Sequence, residues 1–354
     1  MNQKKICLII PSLNSGGMER VMSELAGYFA QNRKIETYLI ILGKAEKFYT
    51  LPKHVITFEP NFVFNNKYRI YYIIKTIFFL REKVKEVKPD AILSFGEMYN
   101  SFVLLSNLFL NVKVFVSDRS KPDKRWGKLH ELLRRKLYPK AHGIISQTSY
   151  SKDFLSKETG HKNITIIPNP VKPFHLDKIE KQNVILCVGR LVSTKRIDIL
   201  LEVFYRTRLE GWELWIVGDG PLKSTLEKLS AEKGLSQYVK FWGNQKDIDQ
   251  FYAKAKIFAF TSISEGFPNS LLEAMAAGLP CISFNCIAGP SDLITDSVNG
   301  FLVPELDIAI YQERLKILIN DETIRLKFSA NALAASEKYY IEKIGDEYLK
   351  FLLS

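Results

Sequence analysis

Short apolar runs alternate with amphipathic stretches from one end of the chain to the other. "KICLII", "ETYLIIL", "HVITFE", "AILSF", "VKVFVS", "HGIISQ" and "ITIIPN" punctuate the first half. "NVILCVG", "WELWIVG", "YVKFWG", "IFAFTS" and "PCISF" do the same in the second. Near-continuous Ile, Val and Leu suits strands buried on both faces, the environment of a parallel sheet covered by helices. Between the runs, stretches such as Glu19–Gln31 and Met98–Phe109 carry apolar residues at helical spacing. The pattern predicts an α/β protein. "PNPVKPFHLDKIEKQN", Pro168 to Asn183, stops both periodicities with three prolines and a polar tail. It separates two expected doubly wound, Rossmann-like domains, residues 1–172 and 173–338, facing a central cleft. After Pro304 the pattern is helical to Ser354, and the segment of about 339–354 is expected to pack back on the first domain. Ligands of open parallel sheets lie outside the carboxyl ends of the strands, so the chemistry belongs in the loops that follow them.

The length, 354 residues, suits two cores, and 46% hydrophobic content excludes a disordered or low-complexity chain. Cys7, Cys187, Cys281 and Cys286 show no C-x-x-C pair, which argues against a disulfide scaffold or zinc module. They read as reduced core residues of a cytoplasmic protein. The leading apolar run, Ile6 to Ile10, is too short for a signal peptide; Ile70 to Leu80 is interrupted by Lys75 and too short to span a bilayer. Fifty Lys and Arg against 38 Asp and Glu give a net charge of +12. Such a balance favours polyanionic partners: nucleotide phosphates, acidic lipid headgroups or nucleic acid.

Four loops carry candidate chemistry. In "PSLNSGGMER", Gly16 and Gly17 let the backbone approach a ligand, and the helix that follows offers its positive end to a phosphate or sugar oxygen. The same residues would also make an ordinary strand–helix turn. In "VGRLVSTKRID", Arg190 stands at a strand end with Lys195 five residues on, a fork and a point charge suited to a diphosphate, or else two solvated loop cations. In "VGDGPLKSTLEKL", Gly218 and Gly220 form a turn before a helix. "TSISEGFPNSLLEAMAAGLP" is the most informative: Glu265 lies in a Gly/Pro loop, and Glu273, eight residues later, sits near a helix N-terminus. A carboxylate is favoured there and can accept two hydroxyls, as a ribose would present them. The amides of Asn269, Ser270 and Leu271 are expected to be free for phosphate. Asp247 and Asp249 in "KDIDQ" have the D-x-D form of a metal site, but Asp247 reads better as a helix N-cap.

"EGFPNSLLE" resembles the E-x7-E pattern of retaining nucleotide-sugar glycosyltransferases of family 4 with the GT-B fold. "SLNSGGMERV", "IPNPV", "GRLVSTKRIDILL", "IVGDGPL", "FWG" and "GLPCISFNCIAGPSDLITDSVNGFLVP" extend the resemblance collinearly over most of the chain. It is strongest to bacterial enzymes that build lipid-linked oligosaccharides and surface polysaccharides. The resemblance implies that Arg190 and Lys195 neutralise the donor diphosphate and that Glu273 accepts from the ribose. It implies that Glu265, with the backbone at Gly266, Phe267 and Pro268, holds the transferred sugar, and that Gly16 and Gly17 approach the same sugar and phosphate. No metal and no cofactor besides the donor, a UDP-sugar, are implied. Many relatives carry a His after the fifth strand; here "VSDRSKPD" places Arg119 beside Asp118, so no general base is assigned.

Two basic, aromatic-rich segments, near 66–88 and 119–140, mix cations with apolar residues as an interfacial helix does at an anionic membrane. A lipid-linked or glycan acceptor and a position peripheral to the inner face of the cell membrane are expected accordingly. Arg119, Lys121, Lys124 and Arg125 offer an alternative, binding the acceptor's own diphosphate. Two other readings compete: a nucleotide-sugar hydrolase or epimerase on the same scaffold, and a non-enzymatic nucleic-acid binder. No aromatic RNA-binding string or zinc finger supports the latter.

Overall fold

The computed structural model describes residues 3–44, 46–174, 179–207 and 210–354; residues 175–178 of the expected domain junction lie outside them. The chain forms two compact units, Met1–Pro170 with Ile341–Ser354, and Val171–Tyr340. The first unit runs β1 (Lys4–Ile10), α1 (Gly17–Gln31), β2 (Ile35–Ile41), β3 (Ile56–Phe58), α2 (Arg69–Val87) and β4 (Ala91–Phe95). It continues with α3 (Glu97–Ser106), β5 (Lys113–Ser117), α4 (Lys128–Leu137), β6 (Gly143–Ser146), α5 (Ser149–Thr159) and β7 (Ile164–Ile166). The second unit opens with β8 (Val184–Val188), α6 (Ile197–Thr207), β9 (Glu213–Val217), α7 (Lys223–Glu232), β10 (Val239–Gly243) and α8 (Asp249–Lys254). Then come β11 (Ile257–Phe260), α9 (Asn269–Ala276), β12 (Cys281–Phe284), α10 (Pro290–Leu293), β13 (Gly300–Val303), α11 (Ile308–Asn320) and α12 (Glu322–Ser336). A last helix, α13 (Ile341–Leu353), belongs to the first unit.

Both sheets are parallel, with strand orders β3-β2-β1-β4-β5-β6-β7 and β10-β9-β8-β11-β12-β13. In each, the first strand lies inside and the chain winds away from it in both directions, so the order reverses beside β1 and beside β8. Period-two alternation explains why the strand sequences are apolar throughout. On β1, Ile6, Leu8 and Ile10 pack with α1 and α13, whereas Cys7 and Ile9 pack with α2 and α3. On β8, Ile185 and Cys187 face α6 and α11, and Val184, Leu186 and Val188 face α8 and α9. All four cysteines are buried and unpaired.

Two local expectations need correction, and one strand was not expected. "GFLV" forms β13, a strand too short for its pattern to stand out between a turn and Pro304. The helix expected over Met98–Phe109 stops at Ser106, because the Asn107 side chain donates to the Val103 carbonyl and ends the ladder. Asp247 is not an N-cap: α8 begins at Asp249 after Ile248, one residue too late for an Asp247 cap.

α13 returns to the first unit with specific contacts. The Tyr28 hydroxyl of α1 donates to Asp346 (2.7 Å), and Tyr348 is fully buried. Arg119, after β5, donates to Asn169 (2.5 Å) and to the Tyr348 hydroxyl (2.9 Å) while its guanidinium lies over the Phe95 ring, 3.3 Å from the centroid. The Gln147 amide also donates to Asn169 (2.7 Å), so the "IPNPV" string ends this unit on a shared acceptor.

Beside this clamp, Asp118 is buried. It accepts from the Tyr138 hydroxyl and the Asn100 amide, and Asn100 in turn accepts from Ser94. Burial, and next the charge of Glu97, push the Asp118 carboxyl up to about 6. A carboxyl raised above its unfolded value contributes stability that is full below about pH 4 and is lost as pH rises through about 6. Asp118→Asn keeps the oxygen acceptor and removes the ionisation. Thermal unfolding from pH 4.5 to 7.5 should show the variant gaining a few °C on the wild type as pH rises. A constant difference would show that Asp118 does not titrate in this range.

Candidate functional site

Of the second unit's sequence candidates, Arg190 and Lys195 follow β8 and Glu265 to Pro268 follow β11, paired neighbours beside the reversal of strand order, while Gly218 follows β9 and Asn269 to Glu273 lie on α9. Arg190 follows β8 directly and its side chain is exposed. The chain then makes a short 3-10 turn, Ser193–Lys195, and Arg196 takes a left-handed conformation (φ 47°) before α6 starts. That reversal carries Lys195 back over the sheet end, where its ammonium lies 5.1 Å from the Phe260 ring and 2.6 Å from the Glu265 carboxylate. Both partners are largely withdrawn from solvent, 21% and 11% exposed.

Backbone contacts fix the pair from below. The Thr261 hydroxyl donates to the Lys195 carbonyl (2.9 Å), the Ser262 hydroxyl to Thr194 (3.1 Å), and the Ile263 amide to Thr194 (2.9 Å). The "TSIS" string that precedes Glu265 thus ties the β11 loop to the β8 loop. This cross-loop role of two small hydroxyl residues is invisible in either loop's sequence alone.

Two glycines allow the close approach of neighbouring loops. A Cβ on Gly218 (φ 136°) would lie 2.1 Å from the Gly189 carbonyl, so Gly218 lets the β9 loop support the backbone that carries Arg190. A Cβ on Gly289 (φ 123°) would lie 2.2 Å from Pro268, so the "AGPSDL" string props the Gly266–Phe267–Pro268 loop from behind. Sequence reasoning missed Gly289 as a support of this loop; its signal was a Gly-Pro at a helix start.

Gly266, Phe267 and Pro268 are buried, and Phe267 and Leu271 point their side chains into the core, leaving only backbone for a ligand. The amides expected to be free are partly engaged: Asn269 donates to Phe267 (3.0 Å) and Leu271 to Pro268 (3.1 Å). The reason is the proline at the N-cap, whose carbonyl accepts from both Leu271 and Leu272. Ser270, partly exposed, presents its carbonyl to the Tyr252 hydroxyl (3.3 Å). Glu273, in the second turn of α9, is 5% exposed and accepts from the same hydroxyl (2.8 Å). Tyr252, on α8, was not among the candidates.

Gly16 and Gly17 stand in the first unit, at the carboxyl end of β1 and the start of α1. Gly16 is extended, and its carbonyl accepts from the Arg20 amide (3.0 Å) and the Tyr49 hydroxyl (3.1 Å). The proposed acceptor cations are also engaged: Arg119 in the clamp above, Lys121 with Asp123 (3.3 Å), Lys124 over Trp126 (3.9 Å) and Arg125 with Glu131 (3.1 Å). Among the described residues, no group of three or more His, Cys, Asp or Glu side chains could hold a metal ion.

Removing one partner of a half-buried ion pair strands the other. Lys195→Met should destabilise the second unit by about 2 kcal/mol, and adding Glu265→Gln should recover most of it. Additive effects in a thermal or denaturant double-mutant cycle would mean that the pair does not couple.

The comparisons with known proteins agree with this architecture. The profile described as "Glycosyltransferase Family 4" matches residues 15–173, and that described as "Glycosyl transferases group 1" matches residues 169–334. A Campylobacter jejuni GalNAc-alpha-(1->4)-GalNAc-alpha-(1->3)-diNAcBac-PP-undecaprenol alpha-1,4-N-acetyl-D-galactosaminyltransferase is 29% identical, over 98% of both chains. The amylovoran biosynthesis glycosyltransferase AmsD of Erwinia amylovora is 28% identical over 96% of this chain and 97% of its own. Among solved structures, Staphylococcus aureus TarM with Fondaparinux, alpha-GlcNAc-glycerol and UDP shares the fold at TM-score 0.83 and 16% identity, covering 99% of this chain and 100% of its own. Anabaena HepE with UDP and glucose superposes at TM-score 0.82 and 19% identity, over 99% of both chains. Two family profiles that meet at the junction of the units, relatives alike from end to end, and a shared pair of parallel sheets make one assignment: the chain belongs to the GT-B glycosyltransferases of the family 4 type.

Proposed function

We propose that this transferase moves a hexose or N-acetylhexosamine from a UDP-sugar to a lipid-linked or polysaccharide acceptor, with retention of anomeric configuration. The observation that carries the reading is the Lys195–Glu265 ion pair that joins the loops after β8 and β11 beside the reversal of the second sheet, with Arg190 in the first loop and Glu273 on the helix that follows the second. UDP is favoured because the TarM and HepE structures contain it. An acceptor on a polyprenyl diphosphate, or a growing polysaccharide, follows the printed activities of the Campylobacter and Erwinia relatives.

In this reading the bond between the sugar's anomeric carbon and the β-phosphate oxygen breaks with its electron pair passing to that oxygen. The Arg190 guanidinium and Lys195 ammonium stabilise the charge that develops, a preorganised effect that acts mainly in the transition state. Glu273 accepts from the ribose hydroxyls, with Tyr252 holding its carboxylate in place. Glu265 orients Lys195 and accepts from hydroxyls of the transferred sugar. Gly218 supports the Arg190 backbone beside the phosphates, and the backbone from Gly266 to Leu271 lines the sugar and phosphate side. The acceptor hydroxyl attacks the face that the phosphate leaves, and its proton passes to the departing phosphate oxygen. Side-chain cations fill the part a divalent metal would otherwise take, so turnover is expected to continue in chelator. A lipid-linked acceptor and the net charge support a position peripheral to the cytoplasmic face of the membrane.

Purified protein incubated with UDP- and GDP-sugars and polyprenyl-diphosphate glycans should extend an acceptor by one sugar, read by mass. Arg190→Ala should lower kcat by about 10²–10³, equivalent to about 3–4 kcal/mol of leaving-group stabilisation. Near-normal turnover in a folded variant would remove that role. An inverted product would refute retention, and rapid acceptor-independent loss of UDP-sugar would mark a hydrolase instead.

A further inference from the structure

The carboxyl ends of β8, β9 and β10 are joined backbone to backbone. The Leu191 amide donates to the Asp219 carbonyl (2.9 Å), the Leu222 amide to the Leu191 carbonyl (3.1 Å) and the Gly218 amide to the Gly243 carbonyl (2.8 Å). A Cβ on Gly220 would lie 2.5 Å from the Leu191 carbonyl oxygen, so the β8 and β9 loops meet with no side chain between them. At the far side β10 is bulged. Phe241 pairs with Ile216 and Gly243 with Val217, which leaves Trp242 outside the register and Gly243 at φ 65°.

Lys223, the first residue of α7, sends its ammonium to this bulge, where Nζ lies 3.7 Å from the place a Cβ on Gly243 would take. The side chain is partly buried, yet among the described residues it has no carboxylate, carbonyl or ring as a partner. Glu227, one turn on along α7, makes no ion pair with it. Asp219 accepts from the Gly220 amide (2.7 Å), and Glu213, at the start of β9, accepts from Lys240 (2.8 Å). The Gln245 amide, a neutral donor of the loop after β10, is used on the Trp242 carbonyl (2.7 Å). A lysine held there gives up side-chain freedom and hydration with no return from within the fold. An acceptor brought by a ligand accounts for the position.

α8 connects this point to the carboxylate that is read as the ribose partner. The helix follows the loop that starts at Gly243, and its Tyr252 hydroxyl donates to Glu273 (2.8 Å). Phe251, beside Tyr252, packs on Trp242 with ring centroids 5.2 Å apart. A nucleotide with its ribose at Glu273 and its phosphates at Arg190 and Lys195 has the β10 loop left for its base, and Lys223 stands there.

An ammonium has only hydrogens to donate and no lone pair to accept with. It complements the keto oxygen of uracil or guanine and opposes the exocyclic amine of cytosine or adenine. We infer that Lys223 reads the base of the donor and selects a keto base over an amino base. The inference rests on the reading of this unit as the nucleotide-sugar site. It adds the class of base, which residues that meet phosphate, ribose and sugar do not sense.

UDP and CDP differ only on the base edge that Lys223 would face, and titrating each into the full chain by calorimetry needs no turnover. Wild type should bind UDP at least about tenfold more tightly than CDP, the worth of one hydrogen bond to a charged group. Lys223→Met keeps the length of the stem and removes the donor, and should cut that ratio to about threefold or less. Lys223→Gln, whose amide both donates and accepts, should bring it toward one. Lys228→Met, on the same helix with a side chain 78% exposed, should keep the wild-type ratio. UDP bound without preference by wild type, a preference that survives both Lys223 variants, or an equal loss in Lys228→Met would overturn the inference and leave the site's reading intact. A wild type that binds neither nucleotide, or UDP affinity indifferent to Arg190→Ala, would refute that reading and the inference with it.

Discussion

The candidate site depends on one constraint: the loops after β8 and β11 must be held as a single body. Neither loop has a regular ladder to stabilise it, and each carries charge. Hydrogen bonds from Thr261, Ser262 and Ile263 to the Thr194 and Lys195 carbonyls join them, and the Lys195–Glu265 ion pair closes the junction. The strand pairing of β8 with β11 makes this possible, because it brings the two loops side by side where the winding reverses. An ammonium fixed in this way has already lost its side-chain freedom before a ligand arrives, so less is lost on binding.

Positive charge serves three physical purposes in this molecule. Arg190 is exposed near a strand end. Arg119 is interior, stacked on Phe95 and bonded to Asn169 and Tyr348; there burial lowers its pKa, and its planar fork joins the β5 loop, the unit's end and α13. The lysines of α2 lie on the surface among aromatic rings. A net charge of +12 therefore says little by itself, since the environment of each cation decides what it does.

Much of the fold was legible because buried parallel strands must be apolar on both faces, a pattern few other structures produce. The elements that escaped detection are those where local sequence is ambiguous. β13 has four residues, too few to show a period, and α3 ends where the Asn107 side chain competes for a carbonyl. At the site, Glu265 and Glu273 could be picked out by their spacing, and Arg190 and Lys195 by their place after a strand. Tyr252, Gly289, Thr261 and Ser262 could not, because each acts on a residue distant in the chain and nothing local marks it.

Taken alone, the sequence determined the class of architecture and the side chains that carry charge, since periodicity and residue chemistry are properties of the chain itself. Tertiary structure decided which charges are neutralised and which are presented. It placed Lys195 against Glu265, locked Arg119 inside, set Arg125, Arg134 and Arg135 against Glu131 and Glu158, and left Phe78 and Phe109 in water. The physical reason is that electrostatic pairing and exposure depend on distance and burial in three dimensions, which positions along a chain do not specify.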